Sequence, residues 1–247
     1  MIKIGKTELG KIPRIAIAIA DREDNKLIKS LFIDILEIRV DQFKNTDPTY
    51  VKNIIKKRKK IGVPLILTVR SKKEGGQKDV SNELRLNIFK ESIPLVDAVD
   101  IELKSPVLSE VVRNARKNKK IVIVSWHNFK MTPNDKILKD ILNKAKRSGA
   151  HLVKVAAKAN KVEDLNRLMR FTIENKSKNI ITISLGEIGS ISRLVFPGLG
   201  SLITYAYINK PSGLGQRPLD ELRDHLRAYY PRYNQCYIIK SRTIEYA

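Results

Sequence analysis

The chain has 247 residues, 42% of them hydrophobic, and carries 48 Lys and Arg against 26 Asp and Glu for a formal net charge of +22. That length suits one large core, since α/β barrels commonly reach about 250 residues as a single domain. The basic residues are dispersed and not interleaved with aromatics, which argues against a specific nucleic-acid partner, and the single Cys236 excludes a disulfide framework or a thiolate metal cluster. Residues 1–13 alternate in polarity and carry turn signals, so they are expected to form a short hairpin closing the bottom of a barrel. They lack the apolar stretch of a secretory signal, and the apolar run 15–20 is too short to span a bilayer. The expectation is a soluble cytoplasmic protein with no membrane partner.

Eight short β-branched runs follow, at 14–20, 35–41, 64–70, 98–103, 120–127, 151–157, 179–186 and 202–208, each succeeded by a helix-like stretch. This is the alternation of parallel βα units. An open doubly wound sheet would show it too, but eight is the number that closes a (β/α)8 TIM barrel. In the second run Glu37, Arg39 and Asp41 share one face while Leu36, Ile38 and Val40 share the other. The apolar face belongs under helices, so the charged face should point into the barrel near its mouth. The densest basic patch, 52–60, falls where a helix should end, reads as solvated surface, and there complements the helix dipole.

The third run ends in Thr68 and Arg70 and is followed by Glu74-Gly75-Gly76. The fourth ends in Asp100 and Glu102, and the fifth in Ser125 and His127. Helical spacing over 133–147 places Ile137, Leu138, Ile141, Leu142 and Ala145 on one stripe, with Thr132-Pro133 as cap and first turn and Gly149 as stop. A second stripe, with Leu165, Leu168 and Met169, covers 162–173. Between them lies the run His151-Leu152-Val153-Lys154-Val155-Ala156-Ala157, where an ammonium interrupts an otherwise buried strand and must be paired, neutralised, used, or carried past its neighbours to solvent. After the seventh run, Gly186-Glu187-Ile188-Gly189-Ser190 can open a short helix whose N–H groups, with Arg193, face an anion. After the eighth, residues 211–216 form a flexible loop suited to closing over a ligand. The catalytic unit is read as 1–230, with 231–247 as a tail outside the repeat.

Singly, each polar residue has a structural explanation: Glu37 and Arg39 as an ion pair, His127 as a capped strand end, Glu74 as a turn residue. Together they collect at the carboxyl ends of barrel strands, where this architecture carries active sites. The histidines 127, 151 and 225 show no metal-ligand spacing.

In that arrangement the chain resembles the type I 3-dehydroquinate dehydratases of the shikimate pathway. The matching stretches are Glu37-Ile38-Arg39-Val40-Asp41, Thr68-Val69-Arg70 with Glu74-Gly75-Gly76, Ser125-Trp126-His127, Val153-Lys154-Val155-Ala156, Gly186 to Arg193 ending in Ser192-Arg193, and Gly200-Ser201 through Thr204 to Gln216, all in the family's order. The resemblance implies a barrel lyase that needs no cofactor or metal and dehydrates 3-dehydroquinate to 3-dehydroshikimate, the third step of chorismate and aromatic amino acid biosynthesis. It makes Lys154 the Schiff-base residue, His127 the general acid/base and Glu74 the group orienting His127. It gives Arg193 the substrate carboxylate, Glu37, Arg39 and Arg70 its hydroxyls, and Ser212 and Gln216 a place on the closing loop. Members of the family are often homodimers.

Physical chemistry adds one expectation: burial near Arg39, Arg70 and Arg193 should lower the Lys154 pKa and free the amine for attack. The chain also departs from the family pattern. Asn128 replaces an aspartate, Thr204-Tyr205-Ala206 a Thr-Phe-Gly sequence and Gly213-Leu214-Gly215 an Ala-Pro-Gly turn, while Ile183 and Leu185 stand where methionines are frequent. The nearest enzymatic rival is another Schiff-base barrel of the class I aldolase kind, which would not need several arginines around a small polyhydroxylated acid.

Overall fold

A computed structural model describes residues 2–31 and 33–237. The eight expected runs are strands, each within two residues of its expected bounds: β3 (Ile15–Ile19), β4 (Ile35–Arg39), β5 (Leu65–Thr68), β6 (Ala98–Glu102), β7 (Ile121–Asn128), β8 (Leu152–Lys158), β9 (Ile180–Leu185) and β10 (Thr204–Tyr207). They pair in parallel in sequence order, and β10 returns to pair with β3, with the two-residue β11 (Arg217–Pro218) outside it. A doubly wound sheet would reverse its order at a switch point, so this cyclic order makes the sheet a TIM-type barrel.

The seam between β9 and β10 carries no regular ladder. It is bridged by the Leu202 N–H donating to Ile180 O at 2.9 Å and by the Ser201 hydroxyl, which accepts from the Thr182 N–H at 2.9 Å. The first residues form an antiparallel hairpin, β1 (Lys3–Ile4) and β2 (Thr7–Glu8), turning at Gly5 with φ +52°. Its Ile4 and the following Leu9 are buried against Ala16, Ile35, Ile66, Ala98, Ile123 and Leu152 at the amino ends of the strands. Each such side chain contributes about 1.5–3 kcal/mol of burial, enough to hold a small plug across the barrel bottom.

Outside the sheet pack α1 (Asn25–Ser30), α2 (Pro48–Lys59), α3 (Asn82–Ser92), α4 (Leu108–Lys117), α5 (Asp135–Arg147), α6 (Val162–Glu174), α7 (Ser192–Leu199) and α8 (Leu219–Tyr229). Helix α5 buries Leu138, Ile141, Leu142 and Ala145 as its spacing predicts, but Ile137 is exposed. Its cap is Asn134, whose side chain accepts from the Ile137 N–H. Thr132, the cap expected from sequence, is buried and donates instead to Lys158 O, tying the loop to β8. Gly149 follows the helix with φ +97°, the left-handed stop that its position required.

The basic run ending α2 is not wholly solvated. Arg58 is buried and donates to the carbonyls of Glu23, Ala20 and Asp21, holding the β3–α1 loop. Residues 231–237 are helical and bury Tyr233 in the core. The rest of the tail, 238–247, lies outside the described residues.

Candidate active site

The strand faces sort as alternation requires. On β4, Leu36 and Ile38 lie in the outer core under the helices; on β8, Val153, Val155 and Ala157 do the same. The inner face therefore takes Ile35, Glu37 and Arg39 from β4, Ala98, Asp100 and Glu102 from β6, and Leu152, Lys154 and Ala156 from β8. Parallel register stacks these into layers, with Thr68 beside Asp100, Glu102 beside Ser125, and Ser125 beside Lys154. Along the strands the interior passes from apolar at the hairpin to charged at the carboxyl ends.

Eight of the nine side chains expected at a site line one pocket there: Glu37, Arg39, Arg70, His127, Lys154, Arg193, Ser212 and Gln216. Glu74 does not. Its carboxylate accepts from Arg85 Nη2 at 2.7 Å and from the Ser71 N–H at 3.1 Å, so it anchors the turn after β5. The partner of His127 is Glu102, whose Oε2 lies 2.7 Å from His127 Nδ1 and whose Oε1 accepts the His127 backbone N–H. The carboxylate in contact with His127 here is Glu102 and not the expected Glu74, because β6 and β7 are adjacent strands whereas Glu74 sits beyond the end of β5 and meets Arg85 of α3.

Glu102 Oε2 also accepts from Arg70 Nη1 at 2.7 Å. Nδ1 is placed to donate to that carboxylate at 2.7 Å, with Arg70 Nη1 3.2 Å from the same nitrogen, and in the tautomer protonated there Nε2 is the basic nitrogen. Burial, reinforced by the Arg70 charge and opposed by Glu102, holds the His127 pKa below its ordinary value. The ring is therefore neutral near pH 7 and able to take a proton. Asn128 turns away to accept from the N–H groups of Lys130 and Met131.

Lys154 does not reach solvent. It is 5% exposed, its Nζ lies 3.1 Å from Asp100 Oδ2 and 3.8 Å from Glu37 Oε1, and it sits 4.1 Å from the centre of the Tyr205 ring. The sequence expectation for its titration is overturned. Burial does push the pKa down, but Asp100 and then Glu37 outweigh it and the net shift is upward. The arginines exert little opposing influence because two are already neutralised, Arg39 by Asp41 and Arg70 by Asp100 and Glu102. The two acids that hold Lys154 are themselves fixed by hydroxyls, Glu37 by Thr68 at 2.7 Å and Asp100 by Ser125 at 2.6 Å.

Arg193 differs from the other cations. Among the described residues it has no carboxylate partner; it donates to the carbonyls of Gly215, Tyr205 and Leu214. Burial, with some repulsion from Arg217, lowers its pKa to about 10. A buried cation held only by carbonyl dipoles is set up to receive an anion. Its bonds to Leu214 and Gly215 also latch loop 211–216, inside which Gln216 Oε1 accepts from both the N–H and the hydroxyl of Ser212.

Asp100 and Glu102 were legible in the sequence as polar strand ends, but nothing local assigned them partners. No group of three His, Cys, Asp or Glu among the described residues is arranged to hold a metal ion.

The model of the type I 3-dehydroquinase family matches residues 10–232. A 3-dehydroquinate dehydratase from Hydrogenobaculum sp. is 42% identical over 221 residues, 89% of this chain and 100% of the relative. One from Aquifex aeolicus is 39% identical over 209 residues, 84% of this chain and 93% of the relative. The crystal structure of the Aquifex aeolicus enzyme superposes with a TM-score of 0.79 at 37% identity, covering 88% of this chain and 99% of that one. That of the type I 3-dehydroquinate dehydratase from Clostridium difficile, with covalently modified comenic acid, gives 0.84 at 30% identity over 92% and 96%.

Proposed function

This chain belongs to the type I 3-dehydroquinase family, and on that premise we propose that it is a hydro-lyase converting 3-dehydroquinate to 3-dehydroshikimate and water through an imine on Lys154. The step is the third of chorismate and aromatic amino acid biosynthesis. The observation that carries the reading is a buried lysine sharing one pocket with a neutral histidine and an acid-free arginine.

The cycle begins with loss of a proton from Lys154, because only the neutral amine attacks a ketone. Nitrogen bonds to the carbonyl carbon, and the ketone oxygen, taking the proton that the ammonium lost and a second one from nitrogen, leaves as water to give a protonated imine. That cation draws electrons from the adjacent carbon, and His127 Nε2 takes the proton released there. The electron pair forms a double bond as the hydroxyl on the next carbon departs, protonated by the same imidazole. Water then hydrolyses the imine and restores the amine.

The raised pKa of Lys154 fits this cycle in an unexpected way. Asp100 and Glu37 favour a cation at that nitrogen, and the protonated imine is a cation at the same place, so the carboxylates that hinder deprotonation stabilise the intermediate that acts as electron sink. Arg193 takes the substrate carboxylate, and Glu37, Arg39 and Arg70 its hydroxyls, while Ser212 and Gln216 close over it. Glu102 holds His127 in the productive tautomer.

Borohydride reduction during turnover tests the reading: a covalent adduct is expected on the peptide containing Lys154. An unmodified Lys154 in a chain that is generating the conjugated enone, followed by its ultraviolet absorbance, would refute the imine. His127→Ala should still be trapped but not turn over, and Lys154→Ala should do neither. A homodimeric assembly, checked by light scattering, a cytoplasmic location and a catalytic unit of 1–230 belong to the same proposal. No helix of the described residues is long and apolar enough to cross a membrane.

A further inference from the structure

The cycle above leaves one polar group of the pocket unused. Tyr205 lies on the inner face of β10, 5% exposed, with Lys154 Nζ over its ring. Its hydroxyl is buried: the Lys154 ammonium donates toward the phenol oxygen, but no acceptor stands within hydrogen-bond distance of its own proton. Seven buried side-chain polar atoms among the described residues make no hydrogen bond within 3.5 Å, and this is the one that belongs to a residue lining the pocket.

The acids nearest in charge influence, Glu37 and Asp100, are engaged elsewhere. Thr68 and Lys154 meet Glu37 Oε1; Arg70 and Ser125 meet Asp100 Oδ1, and Lys154 meets Asp100 Oδ2. Phenylalanine would supply the same ring to Lys154 without a buried group to satisfy. A buried O–H with no acceptor is costly, and in a binding pocket the cost is relieved when a ligand brings the missing acceptor.

We propose that the Tyr205 hydroxyl donates a hydrogen bond to a hydroxyl of the bound substrate beside the carbon that Lys154 attacks, not to the ketone oxygen that leaves as water, making Tyr205 a specificity-determining residue of the site. The inference rests on the dehydratase reading. Burial raises the phenol's pKa, so the O–H keeps its proton and serves as a donor and not as an acid. Because the bond forms on binding and persists through the cycle, its free energy appears as ground-state affinity.

Tyr205→Phe in the full chain, compared with wild type, tests this. The expected result is a KM raised about tenfold with kcat within about twofold, and the same loss of affinity for product by calorimetry. The melting temperature of the empty variant should equal or exceed that of wild type, because an orphaned hydroxyl has been removed. An unchanged KM overturns the inference, as does a loss confined to kcat. A variant that melts lower or fails to fold assigns the hydroxyl a structural role and overturns it too. Wild type that does not turn over 3-dehydroquinate overturns the dehydratase reading itself, whereas active wild type beside an unaltered variant overturns only the role of Tyr205.

Discussion

Asp100→Asn removes the carboxylate nearest Lys154 while preserving its shape. At 3.1 Å and an effective dielectric constant of about 20, two unit charges interact by about 5 kcal/mol. At about 1.36 kcal/mol per pH unit, the full loss would lower the amine pKa by about four units. The amide dipole keeps part of the attraction, so a fall of about two to four units is expected. The sign is definite: losing an anion disfavours the ammonium, and the neutral amine becomes available at lower pH. Initial rates of borohydride trapping, measured against pH with saturating substrate, should show their midpoint displaced downward by that amount. Turnover should fall at the same time, because the protonated imine loses its counter-ion. Glu37→Gln, acting from 3.8 Å, should give a smaller displacement in the same direction. A midpoint that stays in place in a folded Asp100→Asn chain would refute the claim that this carboxylate holds the cation.

Three further variants test the geometry. Glu102 opposes the depression of the His127 pKa, so Glu102→Gln should move the imidazole titration, read by NMR, to still lower pH, and reduce kcat. Glu74→Gln should leave that titration in place; it should instead cost about 3 kcal/mol in urea unfolding, since Arg85, 1% exposed, loses its carboxylate. Exchanged results would return the orienting role to Glu74. At Gly215, with φ +67°, a Cβ would stand 2.2 Å from Gly186 O. Gly215→Ala should therefore prevent loop 211–216 from settling on Arg193, raising KM about tenfold and exposing the loop to limited proteolysis. An unaltered KM and cleavage pattern would show that this closed arrangement is not needed.

Local chemistry carried much of this protein. The eight strands were legible because β-branched runs declare themselves over a few residues, and side-chain parity told which members faced the barrel interior before any strand had a neighbour. The hairpin over 1–13 that closes the barrel bottom, the stop at Gly149 and the loop after the eighth strand were legible for the same reason. Thr132 was misread as a cap because Asn134, two residues on, offers an equally good side-chain acceptor, and only the contact with Lys158 on a neighbouring strand assigns Thr132 elsewhere. Ile137 fits the helical stripe in sequence but falls at the margin of the contact with the sheet.

Electrostatic partnerships were not legible at all. Whether Glu74 or Glu102 meets His127 depends on which strands lie side by side, and a glutamate before a Gly-Gly turn gives no hint that a buried Arg85 on α3 claims it. The sign of the Lys154 shift depends on charges within about 4 Å summed after each has found its partner. The sequence by itself determined that a lysine interrupts an otherwise buried strand and that acids, arginines and a histidine collect at the carboxyl ends of the barrel strands. Only the tertiary structure decided that two arginines are neutralised, that two carboxylates hold the lysine as a cation, and that Arg193 is left for an anion, because Coulomb interactions follow distance through space and not position along the chain.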